Sequence, residues 1–175
     1  DAGAQTLVLT LNDTAGTGQV TFANGAAVSH TGTIVAAADG EGKILVAVGS
    51  GAAADEQTFT AVIGVTAVRV GEIAIGSTTL SGFADFEAAT FTDALSIVGG
   101  DHTDENSQLD LGAALTATDG ITLTAGAGDA ILNITGAVTV TGAIQDSGAG
   151  AGISLLNVDN DVTFASDVGT SQAIS

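Results

Sequence analysis

Side chains that could bind an ion or take part in chemistry collect in two short acidic segments of this chain. The candidate ligands are Asp101, Asp104, Glu105 and Asp110 in and beside the first segment, and Asp159 and Asp161 in the second. Calcium takes about six to eight oxygen ligands, which loop carboxylates and backbone carbonyls can supply. Neither segment has the spacing of an EF-hand or a Gly-Gly-x-Gly-x-Asp repeat. Ca²⁺ is therefore the one cofactor that these residues suggest, and a solvated acidic loop is the alternative.

The two histidines do not form a catalytic arrangement in the sequence. His30 lies within an alternating pattern typical of a strand, so we interpret it as a strand residue. His102 lies in a polar segment, and Ser107 follows it without the Gly-x-Ser-x-Gly pattern of a nucleophile elbow. The sequence therefore predicts no catalytic residue and a protein that is not an enzyme.

Two further classes of site are disfavoured by glycine pattern and aromatic content. Residues 148–152 read Gly-Ala-Gly-Ala-Gly, but no helix pattern follows to aim backbone N–H groups at a phosphate. We interpret this segment as a turn, with no cofactor bound there. The chain also has no Trp or Tyr, which argues against the stacking platforms of a polysaccharide-active enzyme.

The strongly negative charge of the chain and the shortness of its apolar runs disfavour two kinds of partner. Lys and Arg total 2 against 20 Asp and Glu, a formal net charge of −18. Nucleic-acid binding depends on Lys and Arg that displace counterions, so we expect no nucleic acid. The longest apolar runs, such as residues 44–48, are far shorter than the ~20 residues of a membrane helix, so we expect no direct membrane insertion.

Composition and periodicity predict strands along most of the chain. Apolar residues make up 45%, yet aromatics only 3%, and Ala, Val, Ile and Leu suit a thin core. Apolar and polar residues alternate, between Gly and Asx turn signals, in runs that we predict to be strands. These runs are residues 6–11, 19–22, 44–48, 59–70, 72–75, 121–124, 131–134, 138–141 and 161–164. Residues 85–94 form the one stretch with a weak helical pattern.

The fold class that follows is all-β, with two architectures open. A parallel β-solenoid explains the small side chains and frequent glycine turns, because each coil contacts only its neighbours. A stacked antiparallel β-sandwich is the alternative, since residues 57–80 would also suit a hairpin that turns near Gly71 or Gly76.

An internal repeat is visible at an offset of 110 residues. Residues 31–46 match residues 141–156 at Thr, Gly and Ile positions, and the offset becomes 105 further on. We therefore predict a first unit over residues 1–110 and a partial second unit over 111–175, which share one backbone path. The chain begins with Asp and the second unit is incomplete, so we expect a mature segment cut from a longer array.

Four strings carry a resemblance to a known group of proteins. They are TFTAVIGVTAVRVGEIAIGSTTLS, FTDALSIVGG, VTVTGAI and VTFASDVG, at residues 58–81, 91–100, 138–144 and 162–169. They resemble the β-strand repeats of very large bacterial surface proteins, such as the passenger of rickettsial outer-membrane protein B, an autotransporter with surface-layer character. The resemblance implies an extracellular β-helix-like passenger at the bacterial cell surface, which forms a surface layer or filament or acts as an adhesin.

The N-terminal segment suggests how copies of the chain would join. Leu7, Leu9 and Leu11 alternate with Thr and Val, and an unpaired strand edge recruits another chain through its backbone groups. We predict a homo-oligomer or polymer with these leucines at the joint; pairing within the chain is the alternative. Lys43 is interpreted as a plain edge-strand lysine that discourages unwanted pairing.

Overall fold

The computed structural model of the chain describes residues 8–12, 18–23, 26–48, 55–148 and 150–169. Within these ranges the chain forms sixteen strands and no α-helix, which confirms the predicted all-β class. All thirteen strand pairings are parallel, and the strands stack as a β-solenoid of about six turns. The antiparallel sandwich is therefore wrong for this part of the chain.

Successive coils each contribute strands to three parallel ladders. The first two coils contain β1 (Val8–Leu11), β2 (Gln19–Phe22), β3 (Val28–His30), β4 (Thr33–Ala36), β5 (Glu41–Val46) and β6 (Gln57–Phe59). The next three contain β7 (Val70–Ile75), β8 (Phe83–Phe86), β9 (Thr90–Val98), β10 (Ser107–Leu111), β11 (Leu115–Thr124) and β12 (Ala130–Ile134). The last strands are β13 (Thr139–Thr141), β14 (Ile144–Asp146), β15 (Ser154–Val158) and β16 (Thr163–Phe164).

The three ladders follow one another around each coil. The first ladder contains β1, β4, the beginnings of β9 and β11, β13 and β16, with Ile63 bridging β4 to β9. The second contains β2, β5, β7, the ends of β9 and β11, and β14. The third contains β3, β6, β8, β10, β12 and β15. Because β9 and β11 continue around the corner, the first two ladders join in one sheet there.

The core consists of columns of aliphatic side chains, one from each coil. In the second ladder Ile44, Ile73, Leu95, Ile121 and Ile144 stand in register, and each is at most 1% exposed. Their spacings along the chain are 29, 22, 26 and 23 residues, so the structural period is a coil of about 25 residues. The side chains match in size, which explains why small aliphatic residues suffice for this core.

The 110-residue offset does not coincide with this period. Ile44 stands in the column of Ile144, an offset of 100 over four coils. Gly40 leads into β5 on the second ladder, whereas Gly150 precedes β15 on the third. The predicted shared backbone path is therefore wrong, because every coil uses similar Gly, Ala and Ile residues and such residues match at offsets that are not whole coils. The division at residue 110 stays a prediction; β10 spans it and pairs on both sides.

The region expected to be the longest strand is mostly a corner. Residues 60–69 connect β6 to β7, with isolated bridges from Ile63 to Ile34 and to Thr90 and a tight turn closed by two hydrogen bonds between Val65 and Val68. A second tight turn joins Ser77 and Leu80 in the same way. Neither turn reverses the chain into the hairpin that the antiparallel alternative placed near Gly71 or Gly76. Residues 85–94 form the end of β8 and the beginning of β9, not a helix.

Glycines stack where the second ladder turns into the third. A Cβ on Gly126 would overlap the carbonyl oxygen of Gly100 in the preceding coil, and a Cβ on Gly150 would overlap that of Gly126. Backbones approach so closely at this corner that only hydrogen fits. The Gly-rich segment at 148–152 is thus part of a corner, and its described residues agree with the turn that the sequence predicts.

Candidate functional site

The first acidic segment forms a loop, residues 99–106, between β9 and β10. Within it the ligand atoms of Asp101, His102 and Glu105 all lie within 4.8 Å of one another. Asp104, which the sequence placed with the other two acids, is exposed and does not belong to this group. His102 lies in this group instead, a potential ligand that sequence reasoning considered only as a catalytic candidate.

Backbone hydrogen bonds shape this loop from within. The Gly100 amide donates to the Glu105 carbonyl over 2.8 Å, and the Glu105 amide donates to the His102 carbonyl over 3.1 Å. The His102 amide donates to Glu105 Oε2 over 3.2 Å. A Cβ on Gly100 would come within 2.5 Å of the Glu105 Cβ, so the glycine leaves the space in which the glutamate side chain lies.

The loop is also attached to the next coil at both of its ends. The amides of Ala127 and Gly128 donate to the Gly100 carbonyl over 2.9 and 3.1 Å. Asn106 Oδ1 accepts a hydrogen bond from the Asp129 amide over 2.7 Å. These contacts anchor both ends of the loop that carries Asp101, His102 and Glu105 to the next coil.

Asp110 belongs to a different surface from the loop that precedes it. It lies on the outer side of the third ladder, in register with Asp85 before it and Asn133 after it. Asp110 Oδ1 accepts hydrogen bonds from Gln108 Nε2 over 2.9 Å and from Asn133 Nδ2 over 2.8 Å. The expectation that Asp110 joins the first segment is wrong, because alternate residues of β10 face outward and carry it into this polar row.

Four carboxylates lie near this row, and we call them the acidic strip: Glu56, Asp85, Glu87 and Asp110. Burial raises the pKa of Asp85, and the negative charges of Glu87 and Asp110 raise it further. Burial also raises the pKa of Glu56, with added repulsion from Asp110, Asp85 and Glu87. Burial and the neighbouring negative charges therefore make ionisation of Glu56 and Asp85 less favourable than it is in water.

The second acidic segment follows β15 and serves as a turn. The Asp159 amide donates to the Ile134 carbonyl over 3.1 Å, and Asn160 Nδ2 donates to the Thr135 carbonyl. Asp159 and Asp161 are exposed, and in the described part of the chain they belong to no group of three potential ligands. Calcium binding at this segment stays a prediction.

His30 is a packing residue of β3. Its ring stacks on Phe59 at a centroid distance of 4.9 Å and meets the edge of Phe22 at 4.6 Å. Its Nε2 lies 3.0 Å from Gln57 Oε1. The prediction that His30 is a strand residue is confirmed.

Both basic residues join neighbouring coils. Lys43 Nζ lies 2.8 Å from Glu72 Oε1, and its strand β5 is paired on both sides, so the interpretation as an edge lysine is wrong. Arg69 contacts Asp39 at 2.9 Å and Asp93 at 2.5 Å, which links three consecutive coils. Sequence reasoning missed this bridge, since residues 24 and 30 positions apart show no local pattern.

The predicted assembly leucines lie at the first coil. Leu11 is 6% exposed and packs over Gly42, so it fills the core of its own chain, not a partner's pocket. Leu9 lines a cavity of about 240 Å³ with Phe22, His30 and Ile34. Leu7 lies outside the described residues. The pairing of β1 with β4 agrees with the alternative in which this segment pairs within its own chain.

The fold places the described residues in the class of parallel β-solenoids. Comparison with protein-family models, with curated proteins and with solved structures finds no match in any of the three. The resemblance to rickettsial surface passengers thus stays a hypothesis. In the ranges that the structure describes, no helix is long and apolar enough to cross a membrane.

Proposed function

We infer that this chain is a structural subunit of an extracellular layer, fibre or filament at a bacterial cell surface, which assembles through β-strand contacts. The observation that carries this proposal is the parallel stacking of the coils. Within the described residues, the third ladder ends in β3 on one side and β15 on the other, and each of these strands pairs on one edge only. A parallel ladder can be extended by any strand in the same register, whether a further coil of the same chain or another chain supplies that strand.

Registration of the side chains supports end-to-end addition. The third ladder carries the inward column His30, Phe59, Phe86, Leu111, Ile134 and Val158. Val158 is 45% exposed at one end of this column, whereas His30 borders the cavity at the other. Placing β15 of one copy against β3 of the next would continue the column and bury the exposed 45% of Val158, worth about half of the roughly 1.5–3 kcal/mol of a fully exposed apolar side chain.

The distribution of charge differs between the two ends of the described solenoid. The described residues within 8–36, which cover the first coil and β4, include no Asp, Glu, Lys or Arg. The opposite end carries Asp159, Asp161 and Asp167. The sequence adds Asp1 and Asp13 to the first of these ends, so neither end is free of acids. Like charges therefore oppose any joint between copies, and burial of apolar side chains must outweigh this repulsion.

Substitution of Val158 tests this proposal. We expect Val158→Asp to abolish growth of fibres or layers, because it places a charge without a partner in the joint. Light scattering and electron microscopy of the purified chain would follow growth. Thr122→Asp serves as the matched control, since Thr122 lies on the outer side of an interior coil and adds the same charge away from either end.

The outcomes separate the proposal from its main rival. Assembly lost in Val158→Asp but kept in Thr122→Asp, with unchanged circular dichroism in both, supports the structural role. A wild-type chain that stays monomeric in every condition contradicts that role. If that monomer binds host-surface or cell-wall preparations, the adhesin is the better assignment.

A further inference from the structure

The loop at residues 99–106 brings together a donor set that differs from the one its acidic sequence suggests. We propose that Asp101, His102 and Glu105 form a binding site for a divalent transition-metal ion of the Zn²⁺ type, in preference to Ca²⁺. The proposal is independent of how the chain assembles. It rests on the identity of the three donors, on their spacing and on the frame that holds them.

The identity of the donors decides the class of ion. Imidazole nitrogen suits Zn²⁺, Cu²⁺ and Ni²⁺, whereas Ca²⁺ prefers about six to eight oxygens. The group offers one imidazole and two carboxylates, a set that resembles the three-ligand sites of zinc proteins in which water takes the fourth position. Asp104, a further carboxylate that calcium would use, lies outside the group.

The spacing of the donors is close to what one small ion requires. Bonds of about 2.0–2.2 Å from nitrogen and oxygen to zinc place two ligands of a tetrahedral site ~3.4 Å apart. His102 Nε2 already lies 3.8 Å from Asp101 Oδ1, and all three donors lie within 4.8 Å. The side chains of Asp101 and His102 are 63% and 73% exposed, so small torsional changes can close the remaining gap.

The frame lowers the entropic cost of assembling the site. The hydrogen bond from the His102 amide to Glu105 Oε2 fixes that carboxylate and leaves Oε1 for an ion. Gly100 makes room for the Glu105 side chain, and the next coil holds both ends of the loop. A loop that is ordered before binding spends less of its binding free energy on ordering.

Titration of the full chain with zinc chloride and with calcium chloride, by isothermal calorimetry, tests the site. We expect one Zn²⁺ per chain, with Ca²⁺ bound at least tenfold more weakly. His102→Ala and Glu105→Gln should each weaken Zn²⁺ binding by about tenfold or more, since changes even outside the ligands of a metal site cost that much. In nuclear magnetic resonance spectra, the imidazole signals of His102 should shift on Zn²⁺ addition and those of His30 should not.

Asp104→Asn is the matched control, because it removes a charge from the same loop without touching the three donors. It should keep Zn²⁺ affinity within about threefold. Equal Zn²⁺ affinity in wild type and His102→Ala would overturn the proposal, as would tighter binding of Ca²⁺ than of Zn²⁺. An equally large loss in Asp104→Asn would also overturn it, because the loop would then attract cations through net charge alone. Unchanged melting curves without metal would show that the variants are folded.

Discussion

At the scale of single residues, the outer surface of the third ladder holds a row in which each coil adds one polar side chain. Asn157 Nδ2 donates to Asn133 Oδ1 over 2.7 Å, and Asn133 in turn donates to Asp110. One coil earlier the row continues with Asp85, a carboxylate next to a carboxylate. The side-chain amides of Asn157 and Asn133 form hydrogen bonds at one end of the row, whereas the carboxylates of Asp110 and Asp85 repel each other at the other end.

Asp85→Asn should therefore stabilise the protein at neutral pH. The folded-state pKa of Asp85 is raised, so its stabilising contribution is complete below the ordinary carboxyl pKa and is lost as pH rises through the raised value. Asparagine removes this loss, and we expect a gain of less than about 1 kcal/mol because solvent screens the partly exposed group. Urea denaturation at several pH values would measure it.

Asp161→Asn provides the reference for that comparison, since Asp161 is an exposed acid outside the acidic strip. The wild-type chain should lose stability between acidic and neutral pH more steeply than Asp85→Asn does. A parallel pH profile for wild type and Asp85→Asn would contradict the assigned repulsion.

At the scale of elements, the corners of the solenoid are as closely packed as its core. Gly126 lies against the carbonyl oxygens of Gly99 and Gly100, and Gly150 against that of Gly126. Neighbouring coils can keep their ladders in register at this corner only while the backbones touch. The glycines therefore act as spacers that set the distance between coils, in addition to their role as turn residues.

Gly126→Ala should destabilise the chain by roughly 1–3 kcal/mol, the usual cost of inserting an atom into a filled space. Gly112→Ala is the matched control, because a Cβ there would have no neighbour closer than 3.6 Å. Chemical denaturation of the two variants measures the difference. Equal free energies of unfolding for the two variants would contradict this packing, because they would mean that neighbouring coils can move apart at the corner without loss of stability.

At the scale of the whole molecule, stability comes from columns that run through successive coils. Each coil buries its inward side chains between those of the coils before and after it. Core contacts therefore join coils that are adjacent along the solenoid axis, although the contacting residues lie about 25 positions apart in sequence. Lys43 with Glu72, and Arg69 with Asp39 and Asp93, add ion pairs between coils on the surface. The two basic side chains of the chain are thus both used to join coils.

Ile121→Ala should cost about 2–5 kcal/mol, because it opens a cavity in the middle of a column whose members are almost fully buried. Thr122→Ala, at the next position but on the outer side of β11, should change stability by less than about 0.5 kcal/mol. Denaturant titration followed by circular dichroism gives both values. A small effect at Ile121 would contradict a continuous core.

Much of the architecture was predictable from sequence, because period-two patterns and turn residues are local signals. Residues 19–22 form β2 as predicted, and residues 131–134 fall within β12. All-β character and a preference for a solenoid followed from glycine turns and small aliphatic side chains. The sequence alone also determined the excess of acids and the shortage of basic and aromatic residues.

Only the tertiary structure decided which residues meet. The length of a coil varies from 22 to 29 residues, so no fixed period is visible in the sequence. The internal repeat at an offset of 110 residues matches Ile34 with Ile144, whereas in the ladders Ile44 stands in register with Ile144. Likewise, the sequence grouped Asp110 with the acidic loop, whereas the structure places Asp110 on the third ladder and His102 beside Asp101 and Glu105. Such groupings depend on which way a strand faces and how a loop closes on the next coil, and both are set by packing between residues about 25 positions apart.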